Sequence, residues 1–150
     1  MKSFLLLALA VLFILSSQSS FSQMAGYYPK GGPDMGVEDV SLIQLIANPQ
    51  AFDNKRVRFT GYLRLEFEGN VVYLHHEDYE YGLTKNGLWV DVPPDMTQAQ
   101  KQAINNKYVI CTGIFHAGMH GHMDLNSGEI AEITRLQIWA SHRMPRTTVH

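Results

Sequence analysis

The segment FHAGMHGHMD, residues 115–124, holds the densest set of metal-ligating side chains in this sequence. His116, His120 and His122 are separated by small residues and methionines, and Asp124 closes the run. Imidazole nitrogens with a carboxylate form a donor set for zinc or copper. His120 and His122 lie two apart, so on extended backbone their side chains point the same way. Met119 and Met123 add soft sulfur donors of the kind that suit Cu(I). The helical His-Glu-x-x-His arrangement is absent, and the glycines keep the segment pliable, so spacing alone does not define a metal centre. The competing reading is a His-rich surface loop in which His122 helps to fix the conformation.

A second group of candidates sits on a strand. In RVRFTGYLRLEFE, residues 56–68, Val57, Phe59, Gly61, Leu63, Leu65 and Phe67 alternate with Arg56, Arg58, Thr60, Tyr62, Arg64, Glu66 and Glu68. A period of two over this length predicts a strand with one buried face. Gly61, on the buried face in mid-strand, marks a bulge or a sharp bend. Gly69-Asn70 predicts a two-residue hairpin that sets Glu66 opposite Tyr73, Leu65 opposite Leu74 and Arg64 opposite His75. LWVDV, residues 88–92, predicts a third strand with Trp89 and Asp91 outward. The outward face of the three strands then carries Tyr62, Arg64, Glu66, Tyr73, His75, Trp89 and Asp91. Rings give stacking area, and Arg and Asp give directed hydrogen bonds. Mixed charge suits a sugar, a peptide or a protein edge better than a phosphate chain. The competing expectation is that the N-terminal helix or a dimer partner covers these rings.

These candidates need a scaffold. Ser41 and Gln44 predict a capping box opening a short helix, with Leu42, Leu45 and Ile46 on one face and Asn48-Pro49 as the stop. HHEDYEYGLTKNG, residues 75–87, reads as a solvated polar loop, with His76 inward near Leu63 and His75 outward near Arg64. Thr97 and Gln100 predict a second capped helix. KYVICTGIF and GEIAEITRLQIW read as strands four and five. The expected fold is mainly β: a five-stranded OB-like Greek-key barrel with an N-terminal capping helix and a helix between strands 3 and 4. A small α+β sandwich is the rival. In an OB-like barrel the His-rich segment joins strands four and five, beside the outward face that binds ligands in such folds. No nucleophile elbow, phosphate loop or dinucleotide fingerprint is present.

Lys2, an apolar run over residues 4–15 and a polar stretch with Ser20 and Ser22 predict a signal peptide over residues 1–22, cut near Ser22-Gln23. The apolar run is short for a membrane span, which needs ~20 residues. A flexible leader is expected over residues 23–39, one domain over 40–139 and a disordered tail over 140–150. The chain has 12 Lys and Arg, one of them Lys2, against 14 Asp and Glu. This acidic balance argues against nucleic acid as partner. Cys111 is the single cysteine, so an intrachain disulfide is excluded, and its apolar surroundings predict a small buried hydrophobe.

Residues 40–139 resemble a group of exported, uncharacterised bacterial proteins with an OB-like fold. The likeness is carried by Gly61-Tyr62-Leu63, Leu65-Glu66-Phe67-Glu68-Gly69-Asn70, Gly82-Leu83, Lys85-Asn86, Trp89, Gly121-His122-Met123, Ser127-Gly128 and Trp139. It implies an exported barrel and no particular activity. The group tends to have Gly where this chain has Asn54 and Asn106. Asn is the next most tolerant residue for a left-handed turn, so the turns are expected to survive. His122 matches the group, whereas His116 and His120 do not. The combined expectation is a periplasmic or secreted, non-enzymatic binding module for a small ligand or an exported protein, without cofactor or stable membrane anchor. The alternative is a periplasmic metal-binding protein or metal-dependent hydrolase, with zinc or copper on His116, His120, His122 and Asp124.

Overall fold

A computed structural model describes Gly26, Tyr27 and residues 36–140. The expected signal peptide and residues 141–150 of the expected tail lie outside the described residues. Among the described residues seven strands form one sheet: β1 (Gly26–Tyr27), β2 (Glu38–Asp39), β3 (Arg56–Arg64), β4 (Val71–Tyr73), β5 (Gly87–Val90), β6 (Lys107–His116) and β7 (Glu129–Ile138). The α-helices among the described residues are α1 (Leu42–Ala47), α2 (His76–Glu80) and α3 (Gln98–Ile104). β3 pairs with β4, β4 with β5, β5 with β7 in parallel, β7 with β6, and β6 returns to β3. These five pairings close a barrel, and the architecture is the OB-like one, with α1 in front and α3 between the third and fourth barrel strands.

The alternation in β3 sorts side chains as its sequence dictates. Val57, Phe59 and Leu63 point inward and are at most 2% exposed, joining Leu42, Leu45, Val72, Leu88, Val90, Phe115 and Leu136 in one core. Gly61 is required by close approach: a Cβ there would lie 2.6 Å from the Tyr73 carbonyl oxygen and 2.7 Å from a Val72 methyl. β3 pairs with β6 from Arg56 to Leu63 along one edge and with β4 from Tyr62 to Arg64 along the other, so Gly61 sits where the second partner begins. On α1, the Ser41 N–H donates to Gln44 Oε1 (2.8 Å) and Ser41 Oγ accepts from the Gln44 N–H (3.2 Å), so the capping box is present. Leu42 and Leu45 are buried beneath it. Thr97 and Gln100 repeat the motif on α3. Asn54 and Asn106 adopt φ values of 58° and 59°, the left-handed turns expected of them. Cys111 is fully buried in β6, and burial pushes its thiol up to about 12.

Three expectations about the elements need correction. The turn at Gly69-Asn70 is not a two-residue hairpin. β3 ends at Arg64, Leu63 faces Val72 and Tyr62 faces Tyr73, and residues 65–70 form a six-residue loop. The cause is Asn105: its side-chain amide accepts from the Leu65 N–H (2.8 Å) and donates to the Leu65 carbonyl (3.0 Å), taking the place of a strand partner. Phe67 is consequently 97% exposed instead of inward. The 75–87 segment is not a plain loop, since it contains α2 and a 3-10 turn over Thr84–Asn86. Buried Asp78 organises it, accepting from the His75 N–H (2.7 Å) and the Asn86 side-chain amide (2.8 Å). Finally, the expected leader contributes two strands. Tyr27 is buried and its hydroxyl donates to Asp95 (2.9 Å), while Glu38 and Asp39 run parallel to β3.

Candidate functional site

Tyr62, Tyr73 and Trp89 share the outward face of β3–β5, as the strand period requires, and form a second apolar cluster with Val71. The face is divided in two. Over Tyr62 and Tyr73 lies α2, whose Tyr79 ring is 6.4 Å from that of Tyr62 and 5.9 Å from that of Tyr73. His76 stacks edge-on against Tyr62 at 4.7 Å, so it faces outward and not toward Leu63. The cover is therefore a local helix, not the N-terminal one. Arg64 lies over the Tyr79 ring (4.7 Å) and donates to Glu66 (2.7 Å), which also accepts from the Tyr79 hydroxyl (2.9 Å). The Arg64 hydrogen bond holds the Glu66 carboxyl below its usual range, and the same carboxylate raises Tyr79. Arg64 also donates to Asn106. Arg64, Glu66 and Tyr79 thus satisfy one another, while the Tyr62 hydroxyl donates to Asn106 (3.5 Å) and Tyr73 packs against Tyr79. His75 is exposed at the start of α2.

The other half of the face is open. A groove of about 610 Å³ runs between the 65–70 loop and the 117–128 loop, lined by Phe67, Glu68, Trp89, Gly118, Met119, His120, Gly121, His122 and Glu129. Trp89 is half-buried. Gly121, at φ +67°, lays loop backbone against the indole, and a Cβ there would sit 2.5 Å from ring atoms Cδ2 and Cε3. The two loops meet where His122 Nε2 approaches Glu68 Oε2 at 3.9 Å. Lys85 donates to the carbonyls of Asp124 (3.1 Å) and Asn126 (3.2 Å), the Ser127 hydroxyl donates to the Lys85 carbonyl (2.7 Å), and Asn126 donates to the Thr84 carbonyl (3.3 Å). These bonds moor the far half of the second loop to the turn before β5. The half that lines the groove is tied at Ala117, whose N–H donates to Asp53 (2.8 Å), and at His120, whose carbonyl accepts from the Asn126 N–H (3.1 Å).

The expected metal ligands are spread along the loop. His116 bonds Asn54 (3.2 Å) at its start, His120 and His122 line the groove, and Asp124 lies in the exposed 3-10 turn over His122–Asp124. Among the described residues no group of three or more His, Cys, Asp or Glu is placed to hold a metal ion. His120 Nδ1 is buried with no hydrogen-bond partner among them. Asp91 is exposed just beyond the end of β5, and its N–H donates to the Ile130 carbonyl (3.0 Å). Burial first, and the Asp91 charge second, push the Glu129 carboxyl up, with His116 opposing.

Sequence reasoning missed Phe67, Glu68, Met119, Gly121 and Glu129 as groove residues, and Tyr79 as the cover. Alternation placed Phe67 inside, because the Asn105 contact that ends the strand is 40 positions away. A five-residue helix is too short to reveal a 3.6 period. Asp78 three residues after His75 was the available signal, since an acid at the third helical position favours a helix start. A second cleft of about 480 Å³, between the 65–70 loop and α3, is lined by amides including Asn70, Gln98 and Gln102.

Comparison with protein-family models, curated proteins and solved structures finds no match to this chain. Its class is therefore set by topology alone: a closed five-stranded OB-like barrel with an open groove between the first and last of its inter-strand loops. No helix among the described residues is long and apolar enough to cross a membrane.

Proposed function

We propose that this chain is an exported binding module that acts by holding a ligand in the groove over Trp89, and not by catalysing a reaction on it. The supporting observation is the half-buried indole of Trp89, backed by Gly121 and flanked by two loops that approach each other at Glu68 and His122. In OB-like barrels the second and third strands and these same loops bind extended ligands. An indole presented in this way offers stacking area to a sugar ring or to an apolar or cationic side chain. A role in binding also fits the polar groups nearby. Arg64, Glu66 and Tyr79 are committed to one another, and the Cys111 thiol is sealed in the core.

The test uses Trp89 as reporter. In a Trp139→Phe background, where Trp89 is the remaining tryptophan, binding of an oligosaccharide or peptide shifts the emission, and Trp89→Ala abolishes binding measured by calorimetry while the melting transition persists. Undiminished binding in Trp89→Ala sinks the reading. Export is checked by N-terminal sequencing of the protein recovered from cells, which is expected to begin at Gln23.

A second reading, metal capture by the His-rich loop, draws on one observation: His120 and His122 line the same groove, and His120 Nδ1 has no partner among the described residues. One equivalent of zinc or copper bound by the untagged protein, and lost in both His120→Ala and His122→Ala, is the result that favours it.

A further inference from the structure

The chemistry of the groove narrows what can fill it. Two carboxylates line it, Glu68 on the first loop and Glu129 at the start of β7, and none of its lining residues is Lys or Arg. Glu68 faces an imidazole at 3.9 Å, a counter-charge that exists only when His122 is protonated. Glu129 lies directly across the parallel pairing from Trp89, and Asp91 follows just beyond the end of β5. Burial and the neighbouring acid both disfavour its charged form, so a cation that settles beside it relieves a cost already present in the free protein. The indole of Trp89, the aromatic ring that attracts cations best, lines the same groove as the two acids. Phe67, 97% exposed, and Met119, 52% exposed, form an apolar rim.

Negative charge in a concave site with an aromatic wall attracts cations and repels phosphate. The volume of about 610 Å³ is far more than one ammonium group fills, and the exposed Phe67 and Met119 call for an apolar companion next to the charge. We propose that the groove receives a Lys or Arg side chain from an extended segment of a partner protein, its stem along Trp89, its charged head between Glu68 and Glu129, and an adjacent apolar residue on Phe67 and Met119. This specificity rests on the reading of the groove as the ligand site.

The probes are capped tetrapeptides of sequence Leu-Lys-Leu-Gly and Leu-Gln-Leu-Gly, butylamine, and a neutral glucose tetramer, titrated into the Trp139→Phe protein by calorimetry and Trp89 emission. The lysine peptide is expected to bind and shift the emission, with affinity that falls as salt is raised. Glu68→Gln and Glu129→Gln each weaken it about fivefold, whereas Glu38→Gln on β2 does not. Butylamine is expected to bind at least tenfold more weakly than the peptide; equal affinity overturns the peptide assignment. Equal binding of the lysine and glutamine peptides, or preference for the glucose tetramer, overturns the cationic specificity and leaves the groove as the site. Lysine-peptide binding that survives Trp89→Ala and both carboxylate variants places it elsewhere and overturns both. Silence of Trp89 toward every probe also overturns both.

Discussion

Glu66 and Glu129 bring opposite signs to the pH dependence of stability. Arg64 lowers the Glu66 carboxyl, so its contribution is present above the unfolded value near 4.5 and is lost as pH falls through the folded value. Burial and Asp91 raise Glu129, so its ionisation opposes folding. That cost is absent below the unfolded value and grows as pH rises through the folded one. Glu129→Gln is therefore expected to raise the melting temperature at pH 7 and to leave it unchanged near pH 3, in thermal scans at the two pH values. Gly121 makes a second residue-scale case. At φ +67° and 2.5 Å from the indole, Gly121→Ala strains the backbone by about 1 kcal/mol and pushes the loop off Trp89. A red shift of Trp89 emission in the Trp139→Phe background, with loss of peptide binding, is the expected outcome.

The elements show why part of the fold was legible and part was not. β3, β6, β7 and both capped helices follow from local pattern: a period of two in β3, a run apolar on both faces in β6, an imperfect alternation in β7, and a capping box at each helix. Their burial agrees with that pattern, from Val57 and Leu63 to Leu42 and Leu45. What failed were features decided by contacts distant in sequence. Asn105 ends β3 by occupying both backbone groups of Leu65, and no window around Leu65 contains that information. The 75–87 excursion is likewise held by Asp78, whose two oxygens serve His75 and Asn86. Asp78→Ala is expected to cost about 2–3 kcal/mol, because two part-buried donors lose a charged acceptor. Denaturant unfolding measures the loss. With α2 loosened, Tyr62 and Tyr73 become accessible to nitration while β3 and β6 stay paired. The candidate site divided in the same way. Trp89 and His122 were legible from strand phase and loop position, whereas Glu129 entered because β5 and β7 pair in parallel, a matter of topology.

At the scale of the whole molecule, the barrel is uneven. β3 and β6 pair over eight positions from Arg56↔Ile114 to Leu63↔Lys107, whereas β5 and β7 meet at two, Trp89↔Glu129 and Val90↔Ile130. The short parallel seam closes the barrel, and the groove lies on it. Native-state hydrogen exchange is expected to find the Trp89 and Asp91 amides, bonded across the seam to Gly128 and Ile130, opening before those of β3 and β6. A peptide in the groove that slows these two amides selectively would tie occupancy to closure, and uniform slowing across β3 and β6 would argue against it. The enclosure of Cys111 has a practical corollary for such work. Its sulfur faces no solvent in the native fold, so Met119→Cys supplies a single reactive handle for a spin label or dye at the groove rim, with the parent protein as an unlabelled blank.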